Sequence, residues 1–476
     1  MQKNQIQKYI LPLLILLAVA VFMAWFFYNP VADFKANVPG LDNRPAKSDS
    51  SSEVILIGDK FETYSTETSA LQGKWTRFRG ADFDNINKEK IRLINKFPPE
   101  GPKIKWTVEL GEGHAAPVIY NGKVYILDYL EKEKSDALRC FSLETGTELW
   151  RRWYKVHIKR NHGMSRTVPA ITENFIVTIG PRCQVMCADP ATGNYLWGLD
   201  LVKDFGTEVP FWYTGQCPLI DENVAVIAPG GSSLLIGVDC ATGNVVWKTP
   251  NPDNWKMSHS SVMPMNFGGK KMYVYFAIGG ICGISAAGDD IGKILWKTKK
   301  FAPAVVAPSP LIMDDGKIFV SAGYGAGSML FQVVKDGEGF SVKEIQIYKP
   351  KDGLASEQQT PVYFEGHLFA ILPKDAGAVR NQFVCCQPGD CTKILWTSGK
   401  GERFGLGPYI LADGKFFILD DDGTLTIAKA TTSKFELLDK VKIIDGQDAW
   451  GPFAIADGYL LMRDSKQMVC LDIRAK

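Results

Sequence analysis

A two-residue turn signal followed by an apolar strand run recurs eight times along this chain. The turns are Asn121-Gly122, Glu173-Asn174, Glu222-Asn223, Gly268-Gly269, Asp315-Gly316, Glu365-Gly366, Asp413-Gly414 and Asp457-Gly458. Their second residues lie 52, 49, 46, 47, 50, 48 and 44 residues apart, so one supersecondary unit of nearly constant length fills everything after about residue 100. A period of about 40 to 50 residues with strand chemistry is that of a propeller blade. The fold class expected is all-β, an eight-bladed β-propeller of four-stranded blades.

A second marker runs in step with the first. The units end in Trp150, Trp197, Trp247, Trp296 and Trp396, and four of these carry a glycine four residues earlier: Gly146, Gly193, Gly243 and Gly292. The glycine suits a turn that needs positive φ. The tryptophan places a large apolar body on the outer strand, against the neighbouring blade. The tryptophan follows the second turn residue by 23 to 30 positions, which with the strand before the turn makes four strands per unit. Units five and seven, around Ser341 to Ile347 and Phe435 to Leu438, lack the tryptophan and rest on turn spacing alone.

The ends of the repeat explain each other. Trp106, in Ile104-Lys105-Trp106-Thr107-Val108, has the outer-strand signature but precedes the first turn, whereas only 18 residues follow Gly458. The segment around Trp106 is therefore expected to supply the missing strand of the last blade. Such closure removes sheet edges and locks the ring.

Ahead of the repeat, Ile10 to Tyr28 is a run of 19 uncharged residues preceded by Lys3 and Lys8. It is long enough to cross a bilayer. A cleaved signal peptide is the rival, with Ala18-Val19-Ala20 as a small-x-small site. Cleavage there would leave an apolar new N-terminus from Val21 to Phe27, and an uncleaved N-terminal transmembrane helix is the expectation. The implied organisation is a cytoplasmic tail at 1–8, an anchor at 9–28, an extracytoplasmic tether and the start of a surface strap at 29–72, and the propeller at 73–476. The positive-inside rule then puts the propeller on the periplasmic or extracytoplasmic side of the inner membrane.

Lys and Arg number 54 against 52 Asp and Glu, with no strong asymmetry along the chain, so no nucleic-acid partner is expected, since one would call for a basic stripe. Ten cysteines invite a disulfide reading. Cys140, Cys187 and Cys386 each lie ten residues before a tryptophan, and Cys470 fills the matching slot in the last unit, so these four read as buried packing residues. Cys183, Cys217, Cys240, Cys282, Cys385 and Cys391 stay open as possible pairs.

The strings Leu138 to Trp150, with its Glu144-Thr145-Gly146-Thr147-Glu148-Leu149-Trp150 ending, and Trp75-Thr76-Arg77-Phe78-Arg79-Gly80 ahead of Gly101 to Trp106, carry a resemblance. The chain resembles the pyrrolo-quinoline quinone (PQQ) repeat superfamily over roughly residues 73 to 476. The resemblance implies the propeller fold and two functional classes. One is the quinoprotein dehydrogenases, which hold PQQ and usually calcium in the central funnel. The other is the BamB-like proteins, which bind no cofactor and work through surface loops. One fold that hosts both does not name an activity.

The segments just before the inner strands should converge at one mouth of the channel. Seven carry a proline at comparable offset: Pro117, Pro169, Pro218, Pro264, Pro310, Pro361 and Pro408. Reading back from these, and from the last blade, gives a candidate ligand-binding set of His114, His162, Arg166, Trp212, Tyr213, Gln216, His259, Gln359 and Trp450. Convergent polar groups among aromatics are the usual form of a small-molecule site. Arg166 suits a carboxylate, and Trp212 or Trp450 a planar ring. The alternative is a wet channel whose polar residues bond buried water.

A quinoprotein oxidoreductase would use His114, Arg166, His259 and Trp450, but needs acidic ligands for calcium and an aspartate base. Carboxylates at the mouth are few, chiefly Glu357 and Asp448, and Glu357 lies in a solvent-like stretch that sets it aside. No catalytic or metal-ligating residue is assigned, and PQQ with calcium stands as the alternative cofactor. Asp420-Asp421-Asp422-Gly423 lacks the spaced ligands of a calcium loop and reads as a hairpin turn. Basic Lys155 to Arg160 reads as a solvated loop, and Gly323 to Gly327 has no helix to make a phosphate cradle. The function expected is a membrane-anchored binding or scaffold module for another envelope protein or a small ligand.

Overall fold

The structure, a computed structural model, describes residues 3–28, 54–446 and 448–475, with side chains in the first segment described at Ile10 and from Pro12 onward. The tether expected from residue 29 to about 53 lies outside the described residues. The chain divides into two compact units, Met1–Val54 and Ile55–Lys476. In the first, Lys3–Phe27 is one α-helix that contains Pro12 and the apolar run. Among the described residues no helix is long and apolar enough to cross a membrane.

The second unit is a ring of eight antiparallel sheets, each with four strands from the repeat. Blade 1 runs from Val118 to Lys155, blade 2 from Ala170 to Asp200, blade 3 from Leu219 to Pro250 and blade 4 from Met263 to Thr298. Blades 5, 6 and 7 run from Leu311 to Tyr348, Val362 to Thr397 and Tyr409 to Lys442. Blade 8 takes three strands from Ala454 to Asp472, and its outer strand is Ile104–Glu109, with Trp106 opposite Cys470. First and last repeats are thus hydrogen-bonded into one sheet, and no blade is left with a missing strand.

Six of the eight turns hold both central residues at positive φ, as at Asn121 (47°) with Gly122 (69°) and Asp457 (52°) with Gly458 (72°). That is the primed geometry whose twist matches tight hairpins. Glu173-Asn174 departs from it: there the turn is held by Thr172, whose N–H bonds the Phe175 carbonyl at 2.8 Å and whose Oγ1 accepts from the Phe175 N–H.

The two repeat markers interlock between blades. A side chain at Gly146 would meet the Trp106 ring at 2.6 Å, one at Gly193 the Trp150 ring at 2.8 Å, and one at Gly243 the Trp197 ring at 2.6 Å. Each tryptophan therefore lies over the Thr-Gly turn of the next blade. Trp106 and Trp197 also donate Nε1–H to the carbonyls of Leu143 (2.9 Å) and Cys240 (2.8 Å) there. Gly243→Ala must both hold φ near +75° and push Trp197 aside. We expect a loss of about 2–3 kcal/mol in urea-induced unfolding.

All ten cysteines are buried with free thiols. In blade 6 it is Cys385, not Cys386, that pairs with Trp396, as Cys140 pairs with Trp150. Spacing misassigns the slot because two register shifts, on either side of Cys386, lengthen this hairpin. Burial pushes the Cys385 thiol up to about 12.

The segment expected as a surface strap does more than line the surface. Lys60–Thr63 adds a fifth strand outside blade 1. Residues 75–87 then touch inner strands on both sides of the ring. Trp75 exchanges two 2.9 Å backbone bonds with Ile119 of blade 1, and the Thr76 carbonyl accepts from Ile171 of blade 2. Arg77 donates to the Ile220 carbonyl of blade 3 at 3.2 Å. Arg79 donates to the carbonyls of Thr360 and Pro361 at the start of blade 6, at 2.9 and 3.0 Å. Ile86–Asn87 pairs in parallel with Leu411 and Ala412 of blade 7, and Asn87 reaches the Ile455 carbonyl of blade 8. A 13-residue segment can reach six blades only by lying across the channel, so it acts as a plug.

Candidate functional site

Just above the plug, the polar residues before the inner strands divide into two groups. One group forms a belt between blades. The Val168 N–H donates to Cys217 Sγ (3.2 Å), Cys217 N–H to Ser261 Oγ (3.0 Å), Ser261 N–H to Ser309 Oγ (2.9 Å) and Ser309 N–H to Thr360 Oγ1 (2.9 Å). These side chains satisfy buried backbone donors that have no strand partner. Gln216, expected in the ligand set, belongs with them: it is fully buried and bonds both the N–H and the C=O of Ala228. Tyr213 also lies apart. Its hydroxyl donates to the Lys159 carbonyl (2.6 Å) and accepts from the Lys159 N–H (2.8 Å), and its ring packs on the cluster of Tyr129, Tyr154 and Ile158.

The other seven expected residues, His114, His162, Arg166, Trp212, His259, Gln359 and Trp450, line one cavity of about 330 Å³. Phe78 of the plug lines it as well. Sequence reasoning missed Phe78, Tyr324 and Lys374, and set aside Glu357, all of which line the same space. Tyr324 and Lys374 come from loops between the second and third strands of blades 5 and 6, so a search confined to segments before inner strands passes them by. The Gly-rich stretch Gly323 to Gly327 was the available signal for Tyr324, which sits there at φ +56°.

The walls carry two stacked ring pairs. His114 and Trp450 are 4.4 Å apart at 12°, and Trp212 and Tyr324 are 5.7 Å apart at 12°. Phe211, 79% exposed, meets the Trp212 ring edge-on. Lys374 Nζ stands 5.2 Å over the Tyr324 ring. Gly215 makes room for His259, whose Nδ1 would lie 2.7 Å from a Cβ at that position.

Arg166 is held by backbone. Its Nε donates to the Trp212 carbonyl at 2.7 Å, and its Nη2 to the carbonyls of Asn161 (2.9 Å) and His162. The fork expected to grip a carboxylate is thus partly engaged, and Nη1 is the nitrogen without a protein acceptor among these bonds. Burial pulls the guanidinium down to about 10, which leaves it cationic at neutral pH. No carboxylate pairs with it among the described ion pairs.

His114 is buried and its Nε2 donates to the His162 carbonyl at 3.2 Å. Burial, then the charges of Arg166 and Arg463, hold it down to about 3. Burial and Arg166 hold His259 down to about 4. Both rings are therefore neutral walls at pH 7. Between the ordinary value near 6.5 and these values the unfolded chain binds the protons, so stability from this pair is complete above about pH 6.5 and declines as pH falls. Buried Asp136, pushed up to about 7 by desolvation, has the opposite sign and loses stability as pH rises from about 4 to 7. We therefore expect the pair to show in differences. His259→Gln should gain on wild type as pH falls from 6.5 to 4, by a few kcal/mol, in parallel urea titrations.

Calcium needs about six oxygen ligands. Among the described residues no three His, Cys, Asp or Glu side chains converge to hold a metal. Glu357, the carboxylate on the cavity wall, faces Lys374 Nζ at 3.4 Å. These residues do not fit a quinone–calcium centre.

A family model described as "Outer membrane protein assembly factor BamB" matches residues 133–351. The chain resembles the PQQ-repeat propellers in sequence and in fold. Among solved structures, BamB from Moraxella catarrhalis aligns with a TM-score of 0.51 at 11% identity, covering 78% of this chain and 99% of that one. A quinohemoprotein alcohol dehydrogenase from Comamonas testosteroni aligns at 0.58 and 12%, covering 85% and 81%. A europium-containing methanol dehydrogenase aligns at 0.51 and 12%, covering 83% and 89%. At these identities the likeness is one of fold. None of the curated proteins matches the sequence.

Proposed function

We propose that this chain is a binding propeller whose funnel receives a planar aromatic carboxylate. The observation that carries the reading is Arg166, a cation with no carboxylate partner among the described residues, on the wall of a cavity whose neighbouring walls are stacked rings. A charge-assisted hydrogen bond is worth about 1.5–3 kcal/mol, and the rings add apolar area for a flat ligand. A cavity of about 330 Å³ is at the small end for ligand sites, which suits one or two fused rings. The plug closes one end of the channel, so ligand enters and leaves by the other.

The wider role follows from the fold likeness to BamB: the ring's rigid exterior serves as a scaffold for another envelope protein. The anchor remains a proposal of the sequence, since all of the uncharged run Ile10 to Tyr28 except its last residue falls in the helix Lys3–Phe27. Retention of the chain in membranes after alkaline washing, and its release on deletion of residues 1–28, are the expected results.

The ligand reading is tested by isothermal titration with indole-3-propionate. We expect Arg166→Gln to bind it about tenfold to a hundredfold more weakly than wild type. Absence of binding to any aromatic carboxylate would overturn the reading. So would reduction of an electron-accepting dye by the protein supplied with PQQ, calcium and an alcohol.

A further inference from the structure

The cavity holds a second group whose bonding is incomplete. Glu357 has a side chain only 4% exposed, and its Oε2 is buried without a hydrogen-bond partner. Its Oε1 has one ion pair, with Lys374 Nζ at 3.4 Å, longer than a strong charge-assisted bond. Lys374 is itself 62% exposed and rests over the Tyr324 ring. A buried carboxylate without a hydrogen bond is costly, and such a group in a native fold calls for a donor that completes it. Gly323 fits this arrangement, because a Cβ there would run into the Glu357 side chain.

Among the described residues, Arg166 and Glu357 therefore give one cavity a cation that lacks a carboxylate and a carboxylate whose Oε2 lacks a donor, with stacked rings beside them. Building on the carboxylate-binding reading above, we propose that the funnel takes an aromatic α-amino acid in its zwitterionic form. The ammonium bonds Glu357, the carboxylate bonds Arg166 through Nη1, and the ring lies along the aromatic walls. Lys374 is a placeholder: it is exposed, tethered by a flexible stem, and free to swing into solvent when the ligand ammonium arrives. A plain aromatic acid would satisfy Arg166 and leave Glu357 as it is. A plain amine would place its charge in a cavity that already holds Arg166 and Lys374.

The test is isothermal titration of the full chain with three indole probes: L-tryptophan, indole-3-propionate, which lacks the ammonium, and tryptamine, which lacks the carboxylate. The phenyl series, L-phenylalanine, 3-phenylpropionate and phenethylamine, covers the smaller ring. In at least one series the amino acid is expected to bind tenfold or more tightly than either of its analogues. Glu357→Gln, which keeps the shape, should bring the amino acid down to the level of the corresponding acid while that acid changes less than twofold. If acid and amino acid bind wild type equally, the zwitterion proposal fails and the carboxylate reading stands. If no probe of either series binds, both fail. The wild-type comparison decides the matter even if the variant does not fold.

Discussion

Arg463→Ala is expected to destabilise the propeller by about 3–5 kcal/mol, from buried carbonyls left without a donor at about 1–3 kcal/mol each and from the void left behind. Arg463 is fully buried at the end of the second strand of blade 8. Its Nε donates to the Asp464 carbonyl at 2.8 Å, Nη1 to Ala115 at 3.3 Å, and Nη2 to Gly111 at 3.1 Å and Ser465 at 3.0 Å. Gly111 and Ala115 belong to the loop that leads from the closing strand Ile104–Glu109 into blade 1. One side chain therefore ties the last blade to the entrance of the first, beside the strand pairing that closes the ring. Alanine would leave carbonyls unpaired and open a void. Arg463→Met refills the volume without the donors, so it should recover only the void's share, about 1–2 kcal/mol. Urea unfolding followed by tryptophan fluorescence measures both. Because Arg463 helps hold the His114 imidazole down, the methionine variant, where folded, should also show His114 titrating at a higher pH by NMR.

The contrast between Arg463 and Arg166 shows what sequence could and could not reveal. The ring itself was legible, because period, turn glycines and tryptophans are imposed on every blade by the same contact: Trp197 over Gly243 repeats Trp150 over Gly193. The closing strand was legible for a related reason, since the outer-strand signature at Trp106 and the short tail after Gly458 each lacked a complement, and the two segments pair. Seven of the nine expected ligand residues share a cavity because all sit at one offset from an inner strand. Gln216 and Tyr213 share the offset but turn to the backbone of Ala228 and Lys159. Offset gives the height of a residue in the channel but not whether its side chain turns inward or back to a neighbouring strand. Tyr324 and Lys374 reach the cavity from loops of irregular length that carry no repeat signal. Nor did Arg79 and Arg463 announce themselves: a buried arginine and a surface one read alike until the carbonyls around them are known. The Cys385 and Cys386 slots were exchanged for a still smaller reason, register shifts that spacing to Trp396 cannot register.

Removal of residues 1–102 should do more damage than removal of residues 1–72, although neither touches a strand that belongs to the eight four-stranded blades. The shorter deletion takes away the fifth strand Lys60–Thr63, which is exposed along its length, and the carbonyl of Gly58 that Arg152 bonds at 2.6 Å. Its cost should stay within about 2 kcal/mol, as edge contacts and single hydrogen bonds are worth about 1 kcal/mol each. The longer deletion removes the plug. Trp75 and Leu93, 3% and 4% exposed, together carry about 3–6 kcal/mol of burial. Arg79 goes with them, and its two acceptors at Thr360 and Pro361 lose their partner. The total of more than about 5 kcal/mol rivals the whole stability of an ordinary domain, so a molten or insoluble product is the expected result. Intermediate endpoints separate the plug's mechanical role from its part in the site. Phe78→Ala in the intact chain keeps the backbone bridges of Trp75 and Thr76 while stripping a side chain from the floor of the cavity. If the plug serves the funnel as well as the ring, that variant should keep most of its stability and lose aromatic-ligand affinity in the titrations described above. Equal loss of both would instead make Phe78 a packing residue of the ring.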